Sequence, residues 1–587
     1  MEFEQENSLV LSQLRDPSEL MRPERLGALK QTRLSFVRLL MDRMVDERWE
    51  IRINRMDIDE RGVGRVVYRI DAPSKRFSFG VFSRVSSEGE NTDRIIATEW
   101  DLWAFLCEGE ATPELMDDQF EQLPHVMEGR ANTDTLLWTR ANRSARFFDH
   151  VVDSLAAGHQ PDIEHLARGG YLMRSSGYYG NGLNGTKMFE AIDSDHPLGF
   201  PYASQMLGAY MLRVFGYDLA ERMAEARSED AVALDRDIRR YMGTGNSSGV
   251  GIIMYVINHP RQINAWLRAR EIALARVKAT EPTGEDLERF SEVLERAVQW
   301  FAEDDSDTGP YYLSKNTIAR GLGRIERKAE ELAAERGRGT VAADGTPGPE
   351  PTGETAWTRL CSWAESELEI ETQEMLHSLL LDVHPEACSG LEASLRTTEQ
   401  SDLTPDMSVS ELRALVSSSY QWALDVDMSR EGARAFFWYR SVENEEPRLG
   451  IRGEHDYEEY SRPVDIAYQV QQLEDDLSGW DGDETVAAFL FEHPDHRYIV
   501  ERIQHVGELP YAEIRGNPVD ADFVPLYFIS CLKSFWGISK THPKSMGWVR
   551  GTFFQGAPTR EEIAAGDGGY WIHPPMPERA DHWRDDR

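Results

Sequence analysis

MRSSGYYGNGLNGTKMF, residues 173–189, carries a G-x-G-x-x-G string in Gly180, Gly182 and Gly185. If this is a dinucleotide loop, the chain is a doubly wound α/β protein; if it is not, the fold lies elsewhere. Such a loop needs an apolar strand before it, a long helix after it and an acid about 20 residues on. Here the approach GGYLMRSSGYY is short and polar, and TKMFEAIDSDHP sustains about two helical turns before Pro197. Residues 201–216 then read as a helix where a second strand is required. No H-R-D or D-F-G follows, so a kinase-type glycine loop is excluded too.

MGTGNSSGVGIIM, residues 242–254, is a second near-match. Thr244, Gly245, Gly249 and Gly251 stand in the order found in short-chain dehydrogenases, and Tyr311 and Lys315 complete a Y-x-x-x-K. The preceding ALDRDIRRYM is charged and helical where an apolar first strand is needed, and the alternation of strand and helix is missing. Both nucleotide readings fail. What the two segments share is physical: small residues that admit close backbone approach, interleaved with polar donors, each opening onto an amphipathic helix whose first N–H groups attract anions. Arg174, Ser175, Tyr178, Tyr179, Asn181, Asn184, Thr186 and Lys187 on one segment, with Asn246, Ser247 and Ser248 on the other, are expected to line one polar pocket. The alternative is that the glycines serve close packing while the polar residues cap helix ends.

The remaining pattern is α+β with helices dominant: a large helical core and small antiparallel strand groups in both halves. Residues 1–130 read as a helix over 24–48, a three-stranded meander (WEIRINRMDI, GRVVYRIDA, RFSFGVFSRV) and a helix TEWDLWAFLCEG. Residues 131–335 read as helical throughout, apart from the two glycine-rich polar loops. Residues 336–355, RGRGTVAADGTPGPEPTGET, read as a flexible linker. Residues 356–587 are mixed, with short strands expected in ARAFFWYRS, PRLGIRG, VPLYFISCLKSFWGIS and GWVRGTFFQG. No internal repeat is convincing.

Composition narrows the function. The chain has 587 residues, 41% hydrophobic and 10% aromatic, as a folded protein does. Its 64 basic and 102 acidic residues give a net charge of −38, which repels nucleic acid and anionic membranes. No apolar run reaches bilayer-spanning length and no signal-peptide layout opens the chain, so a cytoplasmic protein is expected. Four dispersed cysteines, Cys107, Cys361, Cys388 and Cys531, argue against a disulfide scaffold or a cysteine-built zinc site. Only nine of the 64 basic residues are lysines, and Lys533, Lys540 and Lys544 cluster together.

Other candidates are scattered. His259 in INHPRQ sits where Pro260 must kink or restart a helix, and serves either as an acid/base group or as a cap. In FFWYRSVENEEPRLG, Arg440 and Arg448 suit a bidentate grip on carboxylate, with Glu443, Glu445 and Glu446 as bases, metal ligands or mere ion-pair partners. Arg515, Asn517, Asp520 and Asp522 lack the EF-hand order and read as a turn. His493 and His496 in HPDH have no obvious third ligand, so no metal is expected there.

Taken together, RSSGYYGNGLNG, TGNSSGVGIIMYVINHP, FFWYRSVENEEPRLG and WVRGTFFQGAP resemble a group of uncharacterised bacterial proteins of similar length. The resemblance covers most of the chain and implies one integrated fold, with no activity or cofactor to transfer. The expectation is an enzyme, lyase- or hydrolase-like, acting on a small anionic, carboxylate-type metabolite by acid/base chemistry. Tyr178, Tyr179, Lys187 and His259 would move protons, and a homo-oligomer is expected. The competitors are an oxidoreductase with an atypical flavin or nicotinamide site and a non-catalytic binding or scaffold protein.

Overall fold

The stretch that reads as a polar loop is largely a strand. In the computed structural model, which describes residues 8–84, 100–123, 135–180, 192–249, 259–303, 315–339, 354–399, 402–429, 435–438, 448–451, 466–514, 525–545 and 548–578, residues Tyr171–Gly180 form strand β6. Gly243–Gly249, the second glycine-rich segment, forms β7. Both lie inside a nine-stranded sheet.

That sheet begins with the expected meander, β1 (Glu50–Ile58), β2 (Gly64–Asp71) and β3 (Arg76–Ser83). It continues through β4 (Leu102–Glu108) and β5 (Leu137–Arg143), both expected to be helical. The reason for the difference is burial on both faces. Leu102, Ala104 and Leu106 point into the main core, while Trp103, Phe105 and Cys107 join an aromatic cluster with Val67, Phe82, Trp100 and Trp138 on the other side. A strand covered on both faces loses its alternation and cannot be told from a buried helix by periodicity.

Two further strands, β10 (Lys540–Ser545) and β11 (Trp548–Phe553), complete the order β1-β2-β3-β4-β5-β6-β7-β11-β10. All neighbours are antiparallel except β6 and β7, which are parallel. Strands on either side of residues 336–355 thus share one sheet, where the sequence suggested small separate groups. The helix Lys315–Gly339 enters the expected linker, and Thr355 caps the next helix by accepting from the Thr358 N–H. β8 (Ala435–Trp438) and β9 (Arg448–Ile451) form an isolated antiparallel pair at two expected strand positions. VPLYFISCLKSFWGIS, by contrast, is mostly the helix Pro525–Trp536.

Parallel neighbours require a crossover. Here it contains helix Ala203–Arg227, buried nearly all round because the sheet covers one side and helices Phe36–Asp46 and Phe148–Ala156 cover others. Leu137 and Met173 of the sheet pack onto Gly208 and Gly216, where an added Cβ would lie 2.3 and 2.9 Å from them. Arg213, buried in the same helix, donates to the carbonyls of Arg239, Arg240, Met242, Ala557 and Pro558. One guanidinium therefore ties the approach to β7 to the turn after β11.

The helical remainder is locked by buried charge. Arg15 bridges Glu271 and Glu374, Arg270 pairs with the same two carboxylates, and Arg25 adds a contact to Glu374. The four cysteines are free, and burial pushes the Cys107 thiol up to about 11 and those of Cys361, Cys388 and Cys531 up to about 12. No described helix is long and apolar enough to cross a membrane.

Candidate functional site

The parallel pairing puts the two glycine-rich segments side by side. Arg174 lies opposite Gly245 and Ser175 opposite Asn246, and the Asn246 amide donates to the Ser175 carbonyl at 3.3 Å. Because the strands run the same way, both chains leave the sheet at the same end, after Gly180 and Gly249.

A bulge decides which side chains share a face. The register of β6 against β5 slips between Ser175, opposite Ala141, and Gly177, opposite Arg140. One extra residue there reverses the alternation, so Arg174 and Tyr178 fall on opposite faces. Tyr178 turns toward the main core and Tyr179 toward the aromatic cluster. Burial raises the Tyr178 hydroxyl well above its ordinary range, so it stays protonated at neutral pH. Tyr179 carries the Arg140 guanidinium 5.3 Å from its ring centre, and the same guanidinium lies 3.8 Å from the centre of Trp100.

Ser175 is fully buried, and its hydroxyl is committed to the bulge: it accepts from the Gly177 N–H and donates to the Gly177 carbonyl, each at 3.3 Å. The Ser247 hydroxyl is buried without a hydrogen bond among the described residues. Ser248 pairs with Val549 along the β7–β11 ladder. Opposite Ser247 stands Arg550, 5% exposed, which the sequence reading missed. The alternation in WVRGTFF was the only signal for it. Register places Arg174, Gly245, Ser247 and Arg550 on one face, so two buried arginines flank the glycine-rich strand.

His259 precedes helix Pro260–Ala279, which restarts at the proline as expected, and its side chain makes no cap hydrogen bond. The cap comes from a distant residue: the Glu399 carboxylate accepts from the N–H groups of Arg261 at 3.3 Å and Gln262 at 2.7 Å. Nothing in the local sequence announces this partner.

Lys540 is buried, with Nζ donating to the Ala167 carbonyl at 2.7 Å, so it serves packing near the sheet edge. Arg448 opens β9 opposite Trp438. Asn181, Asn184, Lys187 and Arg440 lie outside the described residues, as do Glu443, Glu445, Glu446, Arg515, Asn517, Asp520 and Asp522.

A cleft of about 810 Å³ opens elsewhere, between helix Phe36–Asp46, residues 385–392 and residues 558–571. Asp42, Asp46, Glu47, Glu386 and Glu392 line it, against Arg33 and Arg43. Its acidic wall disfavours an anion, and none of the sequence candidates reaches it.

The fold and site together define a helix-dominated α+β protein built on a mixed sheet with one parallel seam. No family model matches the chain, and no curated protein or solved structure matches it.

Proposed function

We propose that the protein is an enzyme for a small carboxylate-type anion, bound where the parallel strands β6 and β7 end. The observation that supports this reading most directly is the register that sets Arg174 and Ser175 beside Gly245 and Asn246. Arg174 and Arg550 supply positive charge on the face shared with Ser247, in a chain whose net charge otherwise repels anions. The outgoing chains carry Asn181, Asn184 and Lys187 from one strand and lead to His259 from the other. In this reading these residues donate to the anion and move protons, as in a lyase or hydrolase, with Tyr179 as a donor, Tyr178 being turned to the other face, and Arg440 and Arg448 as further anion contacts. Ser248 lies on the same strand as Asn246.

The same reading places the enzyme in the cytoplasm, where four unpaired cysteines are at home, and assigns it to the bacterial group its motifs resemble. It also takes the enzyme to be a homo-oligomer without nucleic-acid or membrane partners.

A panel of mono-, di- and hydroxy-carboxylates in a thermal-shift assay tests the proposal. At least one should raise the Tm of the wild type, and Arg174→Ala and Asn246→Ala should each abolish that rise. No response from any carboxylate, or a response intact in both variants, overturns it.

One observation favours the packing alternative. A Cβ on Gly243 would lie 2.0 Å from the Phe553 carbonyl oxygen, and one on Gly245 would lie 2.7 Å from the Tyr171 ring. These two glycines are required by the sheet itself, so their presence alone says nothing of a ligand.

A further inference from the structure

The H-P-D-H turn has a third partner that the sequence conceals. His493 closes helix Val486–Glu492, its N–H donating to the Phe489 carbonyl at 2.9 Å. Pro494 then begins a single 3₁₀ turn, Pro494–His496, in which the His496 N–H donates to the His493 carbonyl at 3.2 Å. Side chains three apart eclipse in such a turn, so both imidazoles emerge on one side. Both lie nearly flat against Phe489, tilted 16° and 17° from its ring at centroid distances of 4.9 and 5.7 Å.

Asp476, near the end of helix Ile466–Leu477, faces this pair. Its Oδ2 lies 2.7 Å from His496 Nε2 and 3.6 Å from His493 Nδ1. One potential ligand atom from each residue falls within 4.8 Å of the other two. A carboxylate–histidine hydrogen bond needs only one imidazole. The second ring, held by the same aromatic plate and turned to the same oxygen, is what a shared ion would require. Tetrahedral coordination at metal–ligand distances of ~2.0–2.2 Å puts ligand atoms roughly 3.3 Å apart, so closure takes side-chain adjustments on the order of 1 Å.

We infer that Asp476, His493 and His496 bind a divalent transition-metal ion of the zinc class. Two imidazole nitrogens and one carboxylate oxygen suit zinc and its neighbours, whereas magnesium and calcium prefer all-oxygen sites. The side chains are 47%, 32% and 11% exposed respectively, so water or an external donor completes the shell. The ion joins the end of one helix to the turn between two others and stabilises this helical unit by binding only its folded form.

The test uses the full chain, stripped with a chelator and titrated with Co²⁺. The expected result is a single tight equivalent with the intense visible bands of a tetrahedral site, displaced by Zn²⁺, together with a rise in Tm on adding Zn²⁺. His493→Ala and Asp476→Asn should each weaken Co²⁺ binding at least tenfold while leaving the far-ultraviolet circular dichroism unchanged. Asp476→Asn is the safer variant, because the residue is half exposed and the amide fills the same space. His150→Ala is the control, since His150 and His165 form another histidine pair with ring centres 5.0 Å apart. Absence of the bands, bands that survive both site variants, or bands lost in His150→Ala would each overturn the assignment.

Discussion

Two glutamates in this protein, one fully buried and one half-buried, are shifted in opposite directions, and their surroundings explain why. Glu374 is fully buried among Arg15, Arg25 and Arg270. Burial pushes its carboxyl up, but Arg15 and Arg270 outweigh it and hold the group well below the usual carboxylate range. Glu399, at the start of helix Pro260–Ala279, accepts from two backbone N–H groups, while Arg502 and Arg261 act on it as nearby charges. There burial wins and lifts the carboxyl to about 7. Partial positive charge at a helix start does not replace the full charge of a desolvated arginine.

The largest expected effect lies in the arginine knot. Glu374→Ala leaves three guanidinium groups around an absent carboxylate and should cost about 3–5 kcal/mol in urea unfolding at pH 7. A loss below about 1 kcal/mol would break the comparison, because it would mean that the arginines are satisfied without Glu374.

Next comes the sign of the pH dependence. Glu374 is depressed, so its contribution is present above the unfolded carboxylate pKa and is lost as pH falls through that range. His377, whose Nδ1 lies 3.5 Å from Glu374, is lowered chiefly by burial. The unfolded chain therefore takes up the proton first, and the knot loses stability as pH drops below about 6.5. Glu399 does the reverse: the folded form holds a proton that the unfolded form has released, so stability falls as pH rises from about 4.5 through about 7. Glu399→Gln should remove this opposing slope, on the order of 1–2 kcal/mol after solvent screening. The variant should thus lose more stability than wild type between pH 7 and 5; identical profiles would show that Glu399 ionises normally.

The smallest expected effect sharpens the contrast between capping by a distant carboxylate and capping by a neutral hydroxyl. Thr559 forms a capping box with Glu562 at helix Arg560–Ala565. Thr559→Ala should cost about 1 kcal/mol. At pH 8, where Glu399 is charged, Glu399→Gln should cost no more than this, and denaturant midpoints of the two variants check it.

Legibility followed the range of the interactions involved. The meander of β1 to β3 shows because one alternation repeats within a few residues. Helix Ala203–Arg227 shows because its apolar run is too long for a strand. β4 and β5 were hidden by burial on both faces, and Pro525–Trp536 by an apolar run that periodicity could not assign. At the candidate site, the polar character of residues 174–179 and 246–248 was visible, but the bulge that sends Arg174 and Tyr178 to opposite faces was not. Arg550 and Asp476 were invisible as partners, since they lie hundreds of residues from Ser247 and about 20 residues from His496.

By itself the sequence determined the helix-dominated α+β class, the rejection of a doubly wound nucleotide fold, the free thiols and the acidic surface. These follow from composition and from patterns that span one element. Only the tertiary structure decided that two glycine-rich segments are parallel neighbours in one sheet, that Glu399 caps a helix far from it in the chain, and that Asp476 faces two histidines. Each depends on long-range contacts whose register and burial emerge only when the whole core is assembled.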